Sequence, residues 1–148
     1  MTPWSGCLWT NFRTSWSLRG GATESASLTE AISAALNETE KLTASDGAGS
    51  DFFGYSVSLS GDRALIGVLG DDDNGFSSGS AYVFDFDGSS WTETEKLTAS
   101  DGAEFDGFGW SVSLSGDRAL IGAVLDDDNA NDSGSAYVFD FDGTSWTE

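Results

Sequence analysis

The chain has 148 residues, with 25 acidic side chains against 6 basic ones, a net charge of −19, no histidine and a single cysteine, Cys7. That balance repels phosphate backbones and anionic lipid, which proteins bind through Lys and Arg. It leaves cations, basic proteins and neutral sugars as compatible partners, the plainer alternative being acidity that serves solubility. It also excludes an internal disulfide, a Ser-His triad and a His-ligated zinc site.

Residues 1–37 stand apart as a non-repeat leader. Trp4, Trp9, Phe12 and Trp16 lie among Ser, Thr and Gly without a period. No basic stretch followed by an apolar one marks a signal peptide, and no apolar run approaches the roughly 18 residues of a membrane span. Ser27-Leu28-Thr29-Glu30 has the form of a capping box. Leu28, Ile32, Ala35 and Leu36 follow at helical spacing, which predicts a short helix over 28–36. The alternative is a leader without fixed structure.

From residue 38 the sequence repeats. Glu38 through Ala48 is identical to Glu93 through Ala103, and the gapless correspondence continues to the end of the chain. The two copies differ mainly at residues 49–55 and 68–77 and at their counterparts. A unit of this length points to stacked supersecondary elements.

Four strands are predicted per unit. Tyr55–Ser60 alternates Tyr55, Val57 and Leu59 with serines, a period of two. Gly61-Asp62 is a hairpin turn. Ala64–Leu69 is apolar throughout, as in a strand covered on both faces. After a polar loop, Ser80–Phe86 forms a third strand, and Asp87-Gly88 turns into a charged fourth, Trp91–Thr98, of the kind that discourages edge pairing. The expected fold is therefore all-β, with propeller-type blades of four antiparallel strands. One full blade spans about 54–98 and a second about 109–148, with Glu38–Thr43 as the fourth strand of a blade before them.

Phe53-Gly54-x-Ser56-Val57 leading to Leu65-Ile66-Gly67-Val68, and again Phe108-Gly109-x-Ser111-Val112 leading to Leu120-Ile121-Gly122-Ala123, resemble FG-GAP repeats, the blade repeats of integrin alpha-chain propellers. The resemblance covers residues 38–148 and implies an extracellular or cell-surface module for adhesion or ligand contact. Many blades of that family hold Ca²⁺ in an Asp-rich loop between strands one and two. Here that connection is only Ser60-Gly61-Asp62-Arg63, too poor in oxygens for Ca²⁺.

Any cation site moves to Asp71, Asp72 and Asp73 and to their copies Asp126, Asp127 and Asp128. Up-down strand order brings these loops to the end of the blade that also carries Asp46, Asp51, Asp101 and Asp106. Calcium is the expected ion; the alternative is that Asp and Asn here only favour turns. Tyr55/Trp110, Phe84/Phe139 and Trp91/Trp146 are expected to fill the wedge between blades, or to stack on sugars. Asn37-Glu38-Thr39 and Asn131-Asp132-Ser133 fit a glycosylation sequon.

Catalysis could use only carboxylate pairs, as in a glycosidase. The candidate carboxylates are duplicated, whereas a single active site breaks symmetry. The expectation is a non-enzymatic binding or adhesion module for a protein or glycan ligand. The alternatives are a purely structural repeat and a lectin-like propeller. Two blades cannot close a ring of four to eight. Either blades are missing and the chain is a piece of a longer propeller, the favoured expectation, or copies join as a head-to-tail homo-oligomer.

Overall fold

Alternation and turn chemistry generate two four-stranded antiparallel sheets in the computed structural model, which describes residues 38–148. The helix expected over 28–36 lies outside the described residues. The first blade runs β1 (Phe53–Ser60), β2 (Arg63–Val68), β3 (Ser80–Phe86) and β4 (Trp91–Leu97). The second runs β5 (Phe108–Ser115), β6 (Arg118–Ala123), β7 (Ser135–Phe141) and β8 (Trp146–Thr147). Strand order in each sheet is the chain order, and the sheets do not close on one another. The described residues contain no helix.

The expected hairpin is present in both copies. Ser60 pairs with Arg63 and Ser115 with Arg118 across the two-residue Gly-Asp turn. Each first strand carries an irregularity, between Phe53 and Ser56 and between Phe108 and Ser111. It falls at Gly54 and Gly109, whose φ values of 88° and 86° need glycine. The bulge turns Phe53 onto Tyr82 and Phe84 of its own blade, with ring centroids 5.8 and 6.1 Å apart, and Phe108 onto Tyr137 and Phe139 in the same way. Edge-to-face packing of this kind anchors each blade core.

The blades meet face to edge. Leu65, Ala81 and Val83 of the first blade share one core cluster with Phe108, Leu114, Ile121, Tyr137 and Phe139 of the second. Ser56 donates its hydroxyl to the Gly109 carbonyl at 2.7 Å, and Ser58 and Ser60 accept the Leu114 and Gly116 amides at 3.0 and 3.1 Å. Gly79 and Phe108 form a parallel bridge. Side chains are absent where the backbones come closest: a Cβ on Gly67 would overlap the Gly109 carbonyl, and one on Gly109 would overlap the Ser80 carbonyl.

Two expectations need correction. Glu38–Thr43 forms no strand, because among the described residues no third strand lies beside it to pair; Leu42 and Ala44 instead pack on the first blade core. The second strand is not covered on both faces in both copies. Leu65 is fully buried, whereas its counterpart Leu120 is 46% exposed, since among the described residues no further blade packs against the second sheet.

The joint predicts a graded glycine response. Gly109→Ala and Gly116→Ala both place alanine at positive φ, a strain of roughly 1–2 kcal/mol. Only Gly109→Ala also drives a methyl into backbone across the joint, adding about 1–3 kcal/mol. Urea unfolding should rank Gly109→Ala clearly below Gly116→Ala in stability.

Candidate functional site

The loops from β2 to β3 and from β6 to β7 place the acidic runs, as up-down order requires. In the first loop Asp71 is buried and Lys96, projecting from β4, lies over it. The Lys96 Nζ is 2.8 Å from Asp71, 2.6 Å from Asp73 and 2.9 Å from Asp46. The Tyr82 hydroxyl donates to Asp46 at 2.6 Å, and the Lys96 ammonium sits 5.2 Å from the Tyr82 ring centroid. Burial alone would depress the lysine pKa, but hydrogen bonds to Asp71, Asp73, Tyr82 and Asp46 outweigh it and the group is held above its ordinary 10.5. The Tyr82 hydrogen bond, with Lys96 behind it, holds Asp46 below its ordinary 3.8.

The members of each Asp triplet do different work. Asp72 accepts the Ser77 amide at 2.7 Å and Asp127 the Asp132 amide at 2.6 Å, as turn-forming carboxylates do. Asp51 and Asp106 accept the Ala48 and Ala103 amides within their own turns. Asp46, Asp71 and Asp73 converge, and the cation among them is a lysine.

In the second loop Asp126 is buried and Tyr137 donates to it at 2.6 Å, with Asp101 2.9 Å from the same hydroxyl. Asp126 also accepts the Ser135 hydroxyl at 2.9 Å. Burial opposes its charge, but these bonds prevail and hold it below 3.8. Asp128 is pushed the other way by the neighbouring charges of Asp126 and Asp101. Among the described residues no cation pairs with this cluster, and no group of three or more Asp, Glu, His or Cys side chains is disposed to hold a metal ion.

A second constellation comes from residues at which the copies differ. Phe52, Leu69, Phe105, Trp110, Val124 and Leu125 line an apolar cleft of about 160 Å³ at the blade junction. Phe76 packs edge-on against Phe105 at 5.4 Å, and Tyr55 lies tilted against Trp110 at 5.2 Å. Phe52, Tyr55, Phe76, Phe105 and Trp110 are all exposed. Phe52 and Phe105 have φ values of 58° and 70°, which are unfavourable for bulky side chains. Tyr55 and Trp110 thus meet across the blades. Phe84 and Phe139 fill their own blade cores, and Trp91 and Trp146 stack on Phe86 and Phe141.

The repeat that organises both constellations also matches a known family. The FG-GAP repeat model matches residues 36–84 and again 91–139, together well over half of the chain. The chain belongs to the FG-GAP repeat family. Its Phe-Gly pairs, Phe53-Gly54 and Phe108-Gly109, supply the core anchor of each blade, and Gly109 supplies bare backbone at the joint. The chain is accordingly a propeller-type repeat module of an FG-GAP kind. None of the curated proteins compared with it matches. No helix among the described residues is long and apolar enough to cross a membrane.

Replacing Lys96 with Met leaves Asp71 buried without its cation, and such a loss costs about 3 kcal/mol. Asp71→Asn in the same chain should restore part of it. Asp46 contributes above its ordinary 3.8 and loses that contribution as pH falls, while Lys96 contributes fully below 10.5. The deficit of Lys96→Met should be constant from about pH 5 to about pH 10 and shrink on acidification below about 4, read by thermal melts.

Proposed function

We propose that this FG-GAP module is a non-catalytic binding or adhesion unit that works outside the cell or at its surface. Its ligand is a basic protein segment carrying an apolar anchor. The observation that carries the proposal is the aromatic cleft at the blade junction. Phe52, Phe76 and Phe105 are exposed, depart from the repeat and cluster together, two of them on strained backbone. Exposed apolar surface of this kind marks interaction sites, and aromatic side chains dominate binding hot spots.

The cleft wall is apolar and the chain around it carries −19. Charge complementarity therefore selects a ligand with Lys or Arg flanking the anchor. A lectin-like role would need several polar groups beside the aromatic platform, and the cleft side chains offer the Ser77 hydroxyl and the Trp110 indole N–H alone. Against catalysis stands the engagement of the candidate carboxylates: Asp71 and Asp126 are tied to Lys96, Tyr137 and Ser135, and Asp72 and Asp127 to turn amides.

The other repeat copy supplies clean variants. Phe52→Gly installs the residue found at Gly107 and Phe105→Ser the residue found at Ser50. Phe52→Gly should leave stability unchanged or raise it, since glycine relieves the positive φ, whereas Phe105→Ser keeps a side chain at positive φ, as Ser50 does at 77°, and should change stability little. Selection from a random peptide library against the purified chain should enrich an aromatic or Leu anchor flanked by Lys or Arg. Phe105→Ser should weaken those peptides by about 30-fold or more. Peptides indifferent to both substitutions would refute the cleft, and binding on a glycan array alone would favour the lectin reading.

A further inference from the structure

We propose that the chain assembles head to tail with further copies of itself, the open face of the second blade receiving the open edge of the first blade of the next copy. The joint already present between the two blades is the template. Every side of it has a second, unused member in the same chain.

Within the chain Leu114 packs, 7% exposed, in one cluster with Leu65 and Val83, both fully buried. The unused counterparts are Leu59 on the first blade, 66% exposed, and Leu120 and Val138 on the second, 46% and 45% exposed. A groove of about 460 Å³ lies beside that second face, lined by Ser111, Gly122, Ala123, Gly134 and Ala136 among others. Of the corresponding first-blade residues, Ser56, Gly67, Val68 and Gly79 meet the Phe108-Gly109 backbone in the existing joint. The groove therefore has the shape of the seat for a Phe-Gly edge. Gly54, the free Phe-Gly glycine, has nothing within reach of a Cβ.

Charge supplies an independent match. Arg63 pairs with Asp85 in its own blade, reaches Asp117 in the next at 3.1 Å, and lies over the Phe141 ring at 4.3 Å and the Trp146 ring at 5.2 Å. Its counterpart Arg118 pairs only with Asp140 among the described residues and is largely exposed. A second copy would offer it Asp62, Phe86 and Trp91, the counterparts of Asp117, Phe141 and Trp146.

The acidic cluster of Asp101, Asp126 and Asp128, which pairs with no cation among the described residues, gives a third match. Lys41 occupies the repeat position of Lys96, is exposed and makes no ion pair among the described residues. Tyr82 pairs with Lys96 across β3 and β4. In the same register, Lys41 of the next copy would pair with Tyr137 and reach Asp101, Asp126 and Asp128. Glu38–Thr43 would then become the strand that the repeat leads one to expect. The contact is heterologous and closes by rotation, giving roughly four to eight blades, or two to four chains.

This inference is independent of the ligand proposed for the cleft. Sedimentation of the purified full chain at about 50 μM tests it, with a closed species of two to four chains expected. Leu59→Asp and Leu120→Asp alter exposed residues on opposite faces, and each alone should give monomer. Mixed together they should form a one-to-one dimer, because each retains the face the other lacks; misfolded variants would not complement. Lys41→Glu should weaken assembly by at least tenfold. A monomeric wild-type chain overturns the proposal, including the outcome in which the faces serve blades of a different chain. So does assembly indifferent to both Asp variants, or a mixture that stays monomeric.

Discussion

Backbone meeting backbone without side chains between them is the constraint on which the rest of this structure depends. At Gly67 and Gly109 a single methyl would overlap a carbonyl of the facing blade. Their bareness lets the Ser56, Ser58 and Ser60 hydroxyls reach across and satisfy backbone groups of the second blade. A strand edge that would otherwise expose unpaired amides is thereby capped by side chains. The apolar residues beside it, Leu65, Val83 and Leu114, are buried only because that approach is close enough to exclude water. Phe108 completes the arrangement by turning inward onto Tyr137 and Phe139 while its own backbone faces outward.

One sequence repeated twice thus yields two environments. An inner copy of a residue is buried or paired; the outer copy of the same residue is exposed. Leu65 and Leu120, Arg63 and Arg118, and Lys96 and Lys41 are each such a pair. Solvation differs while chemistry is constant, so the differences measure what a neighbouring blade contributes. The acidic loops show it most clearly. With Lys96 in place Asp71 and Asp73 share an ammonium. Without a cation the like charges of Asp126 and Asp101 raise the Asp128 pKa.

Strand positions, turn chemistry and blade order were legible in the sequence, because period-two alternation at Tyr55–Ser60 and the Gly-Asp turn are local signals and the repeat doubles them. The FG-GAP resemblance was legible for the same reason. The role of Lys96 was not. It stands in a strand whose Thr, Glu and Lys residues read as a solvated edge, and only the packed fold reveals that β4 brings it over the loop at Asp71. The aromatic cleft was also missed. Phe52, Phe76 and Phe105 lie where the copies differ, and comparing copies for what is not repeated would have singled them out. The lack of a strand at Glu38–Thr43 has a plain cause: a strand needs a partner, and pairing is a property of the neighbourhood rather than of the segment.

A joint formed by β5 against the first blade holds the two sheets together, and hydrogen exchange at four amides tests it most directly. Leu114 and Gly116 donate to Ser58 and Ser60 across the joint, while their counterparts Leu59 and Gly61 face outward. At concentrations low enough to keep chains apart, Leu114 and Gly116 should be protected by about 100-fold or more relative to Leu59 and Gly61. Equal exchange in the two copies would contradict the joint and, with it, everything built on it.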